Sequence, residues 1–289
     1  MKLINTFLFS NIFLSVGAVL LTVSAQVQLG MTPHWQPYLS LIFFATLIEY
    51  NRTRVIKLLL IHNGSNAEKQ WWIRKNKKKI FFIISISIVG FIIAAIRVKT
   101  EVLLAFLPLG ILSFFYSFPV SGNKNCFLGL REVPYLKIFL IAFVWSATTI
   151  LLPVIQANAK IFEPHVMMLF AERFFFIFAI TIPFDIRDMQ ADQDAGLKTI
   201  PLLIDKNKAL SLSYISLSIC FVISILHYKM QNNWFILEAI FVSLLTTYLF
   251  LKLNYFKNLH KYYYQILDGT MLLQGLLVLG FYYFAHSYF

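Results

Sequence analysis

Nine stretches of this 289-residue chain are apolar for about as long as a helix needs to cross a bilayer. Roughly 20 residues at about 1.5 Å each cover the ~30 Å of hydrocarbon. The stretches are residues 3–25, 36–60, 79–97, 101–118, 136–156, 164–185, 208–228, 232–252 and 265–286. Their length, and the lack of strict apolar–polar alternation, predict helices rather than barrel strands. The expected fold is all-α: a polytopic membrane protein with nine transmembrane helices in a single bundle enclosing a central cavity. Residues 1–289 read as one domain, since no repeat or low-complexity linker divides them. Val23-Ser24-Ala25 has the small residues of a cleavage site. The apolar stretch before it is too long for a signal peptide, however, and Lys2 alone is a thin basic region.

Composition removes other classes. Charged residues make up 13% of the chain, about half the usual quarter. The net charge is +12, which in a soluble domain would suggest nucleic acid. Here the bases lie between apolar runs, so the expected partner is the lipid bilayer and not nucleic acid. Cys126 and Cys220 fit neither a disulfide framework nor a zinc spacing. The loops then orient the chain. Seventeen Lys and Arg, among them Lys69, Arg74, Lys75, Lys77, Lys78 and Lys79, fall on one side of the nine runs. Four fall on the other: Arg97, Lys99, Lys160 and Lys229. The basic side faces the cytoplasm, which places the amino terminus inside and the carboxyl terminus outside.

One acidic segment, Pro183 to Gly196, interrupts that basic side. On a helix advancing about 100° per residue, Asp185, Asp188 and Asp192 share an arc of roughly 60°. Three carboxylates on one face at a membrane end repel one another and call for a cation. A hard divalent ion such as magnesium suits oxygen ligands, using one or two carboxylates plus substrate phosphates. An acidic loop balancing Arg187 and Lys198 would need no metal. Asp194 points away, and Gly196 is placed to stop the helix. Glu172 and Arg173 lie mid-span, where ionisable groups pair inside the bundle. His34, His165 and His286 share no ligand spacing.

The segment Asp185–Pro201, reading DIRDMQADQDAGLKTIP, resembles the second aspartate-rich motif of the UbiA superfamily of intramembrane prenyltransferases. That family pairs a D-x-x-x-D cluster with a following G-x-x-T-[LI]-P. The resemblance implies transfer of an isoprenyl group from a polyprenyl diphosphate to an acceptor, often an aromatic ring, with Mg2+ on the diphosphate. It makes Asp185, Asp188 and Asp192 the catalytic and metal residues. The implied location is a multi-pass protein of a bacterial inner membrane, with the aspartates cytoplasmic. Quinone, haem, chlorophyll-like and glycerol-lipid acceptors all fit. No motif speaks to oligomeric state.

The family's first motif, N-x-x-x-D-x-x-x-D, belongs at the cytoplasmic end of the second run. With Asn51 as its Asn, Val55 and Leu59 occupy the aspartate positions. Neither ligates metal, and Glu49 is the nearby carboxylate. Asn51 and Arg54 lie about 60° apart on the wheel and are expected to contact the diphosphate, with fewer metal ions than in two-motif enzymes. Arg52 points elsewhere. The same bases also suit headgroup anchors. Tyr116, Lys137 and Lys198 resemble positions where the family places a tyrosine and bases near the diphosphate. The missing carboxylates leave an alternative open: a catalytically impaired member that acts as an isoprenoid-binding or scaffold membrane protein. A transporter would show short, broken spans in matching halves, and the sequence has none.

Overall fold

In hydrocarbon every backbone polar group must be satisfied within the chain, and helix does this segment by segment. The computed structural model describes residues 7–60, 75–116, 136–194, 198–253 and 263–288, and among these it is helical with no strand. We label the helices α1 (Ile12–Gln28), α2 (Pro37–Leu60), α3 (Lys77–Arg97), α4 (Thr100–Tyr116), α5 (Leu136–Gln156) and α6 (Pro164–Asp194). They continue as α7 (Ile200–Ile204), α8 (Lys206–Met230), α9 (Trp234–Leu253) and α10 (Tyr263–Tyr288).

Among the described residues six helices are long and apolar enough to span a membrane by length and composition: α3, α5, α6, α8, α9 and α10. The expectation of nine is therefore met only in part. The helices α1 and α4 are apolar but have 17 residues each. At 24 residues α2 is long enough, but Glu49, Arg52, Arg54 and Lys57 make its last turns polar.

Packing order differs from chain order. α1 lies against α10 and α2, α2 against α3, and α6 against α8 and α5. Where α1 meets α10, a Cβ on Gly275 would stand 2.8 Å from the Leu20 carbonyl carbon. Small residues let two backbones approach this closely in a membrane bundle. Deep in the bundle, Glu172 holds His227 at 2.5 Å and accepts from the Tyr228 hydroxyl at 3.3 Å. Gln28 donates to that hydroxyl at 2.7 Å and accepts from Arg173 at 3.0 Å. The link between Glu172 and Arg173 thus runs through α1 and α8, tying three helices together.

Prolines lie inside α4 (Pro108), α5 (Pro153) and α6 (Pro183). In α5 a wider π turn, Ala147–Leu151, comes immediately before Pro153. The proline has no N–H to offer the carbonyl one turn back, and such turns accommodate the mismatch. In α6, Pro183 lies inside a 31-residue helix whose last turns carry the aspartates.

Candidate active site

Aromatic packing brings α5 and α6 together just below the acids. Phe139 of α5 meets Phe178 of α6 with ring centres 5.0 Å apart, and meets Phe174 at 6.2 Å. Two residues before Phe139, Lys137 points at the end of α6. Its ammonium lies 2.5 Å from Asp185 Oδ1 and 3.1 Å from Asp192 Oδ2. All three residues are withdrawn from solvent, with Asp185 and Asp192 each 2% exposed and Lys137 9%. Asp185 and Asp192 are two turns apart and therefore on one face, as the wheel predicts.

Asp188 lies on the edge of that face and is taken by its neighbour. Arg187 grips it with two bonds, Nε to Oδ1 at 2.6 Å and Nη2 to Oδ2 at 2.9 Å. Among the described residues no three acidic, histidine or cysteine side chains converge as a metal cage. The expected trio is arranged as a pair around a lysine, with the third acid held by an arginine. Sequence spacing gives the arc; it does not say which acid finds which base.

The pair still fits magnesium. Asp185 Oδ2 is buried and has no hydrogen-bond partner among the described residues, an arrangement that leaves a carboxylate oxygen ready for a cation. Two carboxylates are also what magnesium takes from protein when phosphates complete its shell.

The remaining expected residues are scattered. Asn51 is fully buried, donates to Ser10 O at 2.8 Å and Leu47 O at 2.9 Å, and accepts from Asn11 Nδ2 at 3.3 Å. It clasps the turn that opens α1, where Asn11 takes a left-handed φ of 63°. Arg52 binds Glu49 at 2.8 Å and sits 4.4 Å over the Phe114 ring. Tyr116 closes α4, partly exposed, and Lys198 is exposed. The side chains of Arg54 and Lys57, and Gly196, lie outside the described residues.

The sequence reading missed a junction around Tyr50. Its hydroxyl accepts from Trp145 Nε1 at 3.1 Å, and Glu49, Tyr116 and Asp268 are its electrostatic neighbours. Asp268 lies inside the last apolar run. An ionisable group there is a functional candidate by default, so the signal was present in the sequence.

A cavity of about 260 Å³ opens beside this junction. Its walls are mostly apolar and include Ile42, Tyr50, Phe91, Phe106, Trp145 and Thr148. They come from α1 to α5, the first half of the bundle. On α5, Val144 stands two turns after Lys137, within roughly 20° of it on the wheel, so the cavity begins about 10 Å along the axis from Lys137.

Residues 74–263 match the UbiA prenyltransferase family. The chain belongs to this family. Its apolar helices and its UbiA membership make it an integral membrane protein. No curated protein matches it. Solved structures with the same fold include a UbiA homologue from Aeropyrum pernix K1, at 13% identity and TM-score 0.65, covering 94% of this chain and 96% of that one. A UbiA homologue from Archaeoglobus fulgidus bound to GPP and Mg2+ aligns at 16% identity and TM-score 0.61, covering 94% and 99%. A digeranylgeranylglyceryl phosphate synthase aligns at 13% and 0.54, covering 97% and 98%. At these identities the likeness is one of fold.

Proposed function

We propose that this UbiA-family chain is a magnesium-dependent membrane prenyltransferase, moving an isoprenyl group from a polyprenyl diphosphate to an acceptor. In this reading its nine apolar segments span the membrane, with the aspartates at the cytoplasmic face. The observation that carries it is the buried Lys137–Asp185–Asp192 cluster, placed on the same face of α5 as an apolar cavity. The relatives bound to GPP and Mg2+, or to DMAPP and Mg2+, support the same substrate class.

Asp185 and Asp192 would hold the magnesium, with Asp188 the third candidate ligand beside them. The bound ion supplies Lewis acidity, stabilising charge on the departing diphosphate. Lys137 lies within reach of the same oxygens and neutralises them as a point charge. Arg54, Asn51, Tyr116 and Lys198 are the further diphosphate contacts this reading assigns. The isoprenoid tail would lie in the cavity, where Phe91, Phe106 and Trp145 exclude water from an allylic cation. Their ring faces also attract positive charge.

A second reading rests on Val55 and Leu59 standing where the first motif has carboxylates, and on an Asn51 amide committed to Ser10 and Leu47. It makes the chain an isoprenoid-binding member without turnover. One assay separates the two: diphosphate release from geranyl diphosphate by purified protein in liposomes, with Mg2+ and a lipid extract as acceptor. Wild type should release diphosphate, and Asp185→Asn should lower the rate about a hundredfold or more, as losing one charge-stabilising group does. Equal rates would sink the assignment. Magnesium-independent isoprenoid binding without release would favour the second reading.

A further inference from the structure

We propose that Lys137 is a resident counter-ion that keeps the Asp185–Asp192 pair closed to a lone divalent cation and yields the pair only when a diphosphate comes with the metal. The inference rests on the diphosphate-site reading above and adds an order to it.

Two buried carboxylates two turns apart on one face of α6, drawn to the same point, repel each other and need a cation close by. Lys137 provides one, its ammonium bridging both acids at 2.5 and 3.1 Å. A divalent ion entering alone would meet that ammonium at close range, in surroundings where like charges are poorly screened. The lysine would then have to stay beside the ion or withdraw from its two aspartates into a buried region. Both courses are unfavourable.

A diphosphate removes the conflict. Its oxygens accept the ammonium and ligate the metal together, so each positive charge keeps anionic partners. The lysine is suited to such a handover, being a compact charge on a flexible stem. Asp185 divides the two tasks between its oxygens. Oδ1 faces Lys137, whereas Oδ2 is buried and has no hydrogen-bond partner among the described residues. The first holds the lysine, and the second waits for the metal. Metal and diphosphate must therefore bind with positive, reciprocal coupling, and part of that coupling belongs to Lys137.

The test is Mn2+ binding to the full-length protein in nanodiscs, read by electron paramagnetic resonance with and without inorganic pyrophosphate. Wild type should bind Mn2+ weakly alone and much more tightly with pyrophosphate. Lys137→Met should tighten binding of Mn2+ alone by about tenfold or more, the effect of removing one neighbouring like charge, and should narrow the gap between the two conditions. Lys137→Gln, which removes the charge but keeps a donor for both aspartates, should do the same and serves if the Met variant melts early. Unchanged Mn2+ affinity in both variants overturns the proposal. If pyrophosphate-dependent binding persists in that case, the site reading survives without the gate. Wild type that binds no Mn2+ even with pyrophosphate overturns the site reading and the gate together.

Discussion

At the scale of single residues, burial sorts bases that look alike in the sequence. Arg52 is spent within its own neighbourhood, paired with Glu49 at 2.8 Å and laid over Phe114. Lys137 is spent on the two aspartates it would later share with a ligand. In the sequence Arg54 follows Asn51 by three residues, about 60° from it on an ideal wheel, and is a proposed diphosphate contact. Removing Arg54 should therefore weaken pyrophosphate binding by about tenfold, the order expected for a charged hydrogen bond. Arg52→Ala should change it by less than about twofold, because Arg52 is already paired with Glu49 within its own turn. Titration calorimetry of the two variants checks this. Equal effects, or none from either, would mean that the turn is only a headgroup anchor.

Among the elements, the α1–α10 contact is the most exacting. A Cβ added at Gly275 would stand 2.8–2.9 Å from the Leu20 carbonyl carbon and oxygen, atoms that cannot rotate away. At Gly17 the nearest atom is a Leu272 methyl, which can. Gly275→Ala should cost about 1–3 kcal/mol through overpacking and lower the melting temperature in detergent by several degrees. Gly280→Ala, where nothing lies within 4 Å, is the matched control and should melt like wild type. Failure of Gly275→Ala to melt earlier would show that the two helices do not approach so closely. The π turn of α5 works at this scale too. It lies between Lys137 and Pro153 and sets the angle at which Thr148 and Thr149 meet the cavity.

For the molecule as a whole, the outward faces of α3, α4 and α8 carry large exposed apolar side chains, including Phe82 at 66% and Ile96 at 80%. Such surface is soluble only in lipid. The proposed orientation, with the basic loops in the cytoplasm, predicts a labelling pattern. With Cys126 and Cys220 replaced by serine, Lys160→Cys should react with a membrane-impermeant maleimide added to intact cells. Lys78→Cys should react only after lysis. Both lysines are exposed, so access would be governed by the membrane and not by burial. The reverse pattern would invert the protein and move the aspartate cluster to the outside.

The all-helical fold class, the membrane and the arc of acids were legible in the sequence alone, the number of spans only in part. Each of these follows from a local property: the length of an apolar run, the side of it on which bases gather, and 100° per residue between Asp185 and Asp192. Partnership is not local. Lys137 meets Asp192 across 55 positions, Tyr50 meets Trp145 across 95, and Gln28 meets Tyr228 across 200. The same composition would have allowed Arg187 to bridge the pair. Tertiary packing decided otherwise. A buried charge must take whichever counter-charge the neighbouring helix brings within reach, and the phenylalanine contacts between α5 and α6 bring Lys137.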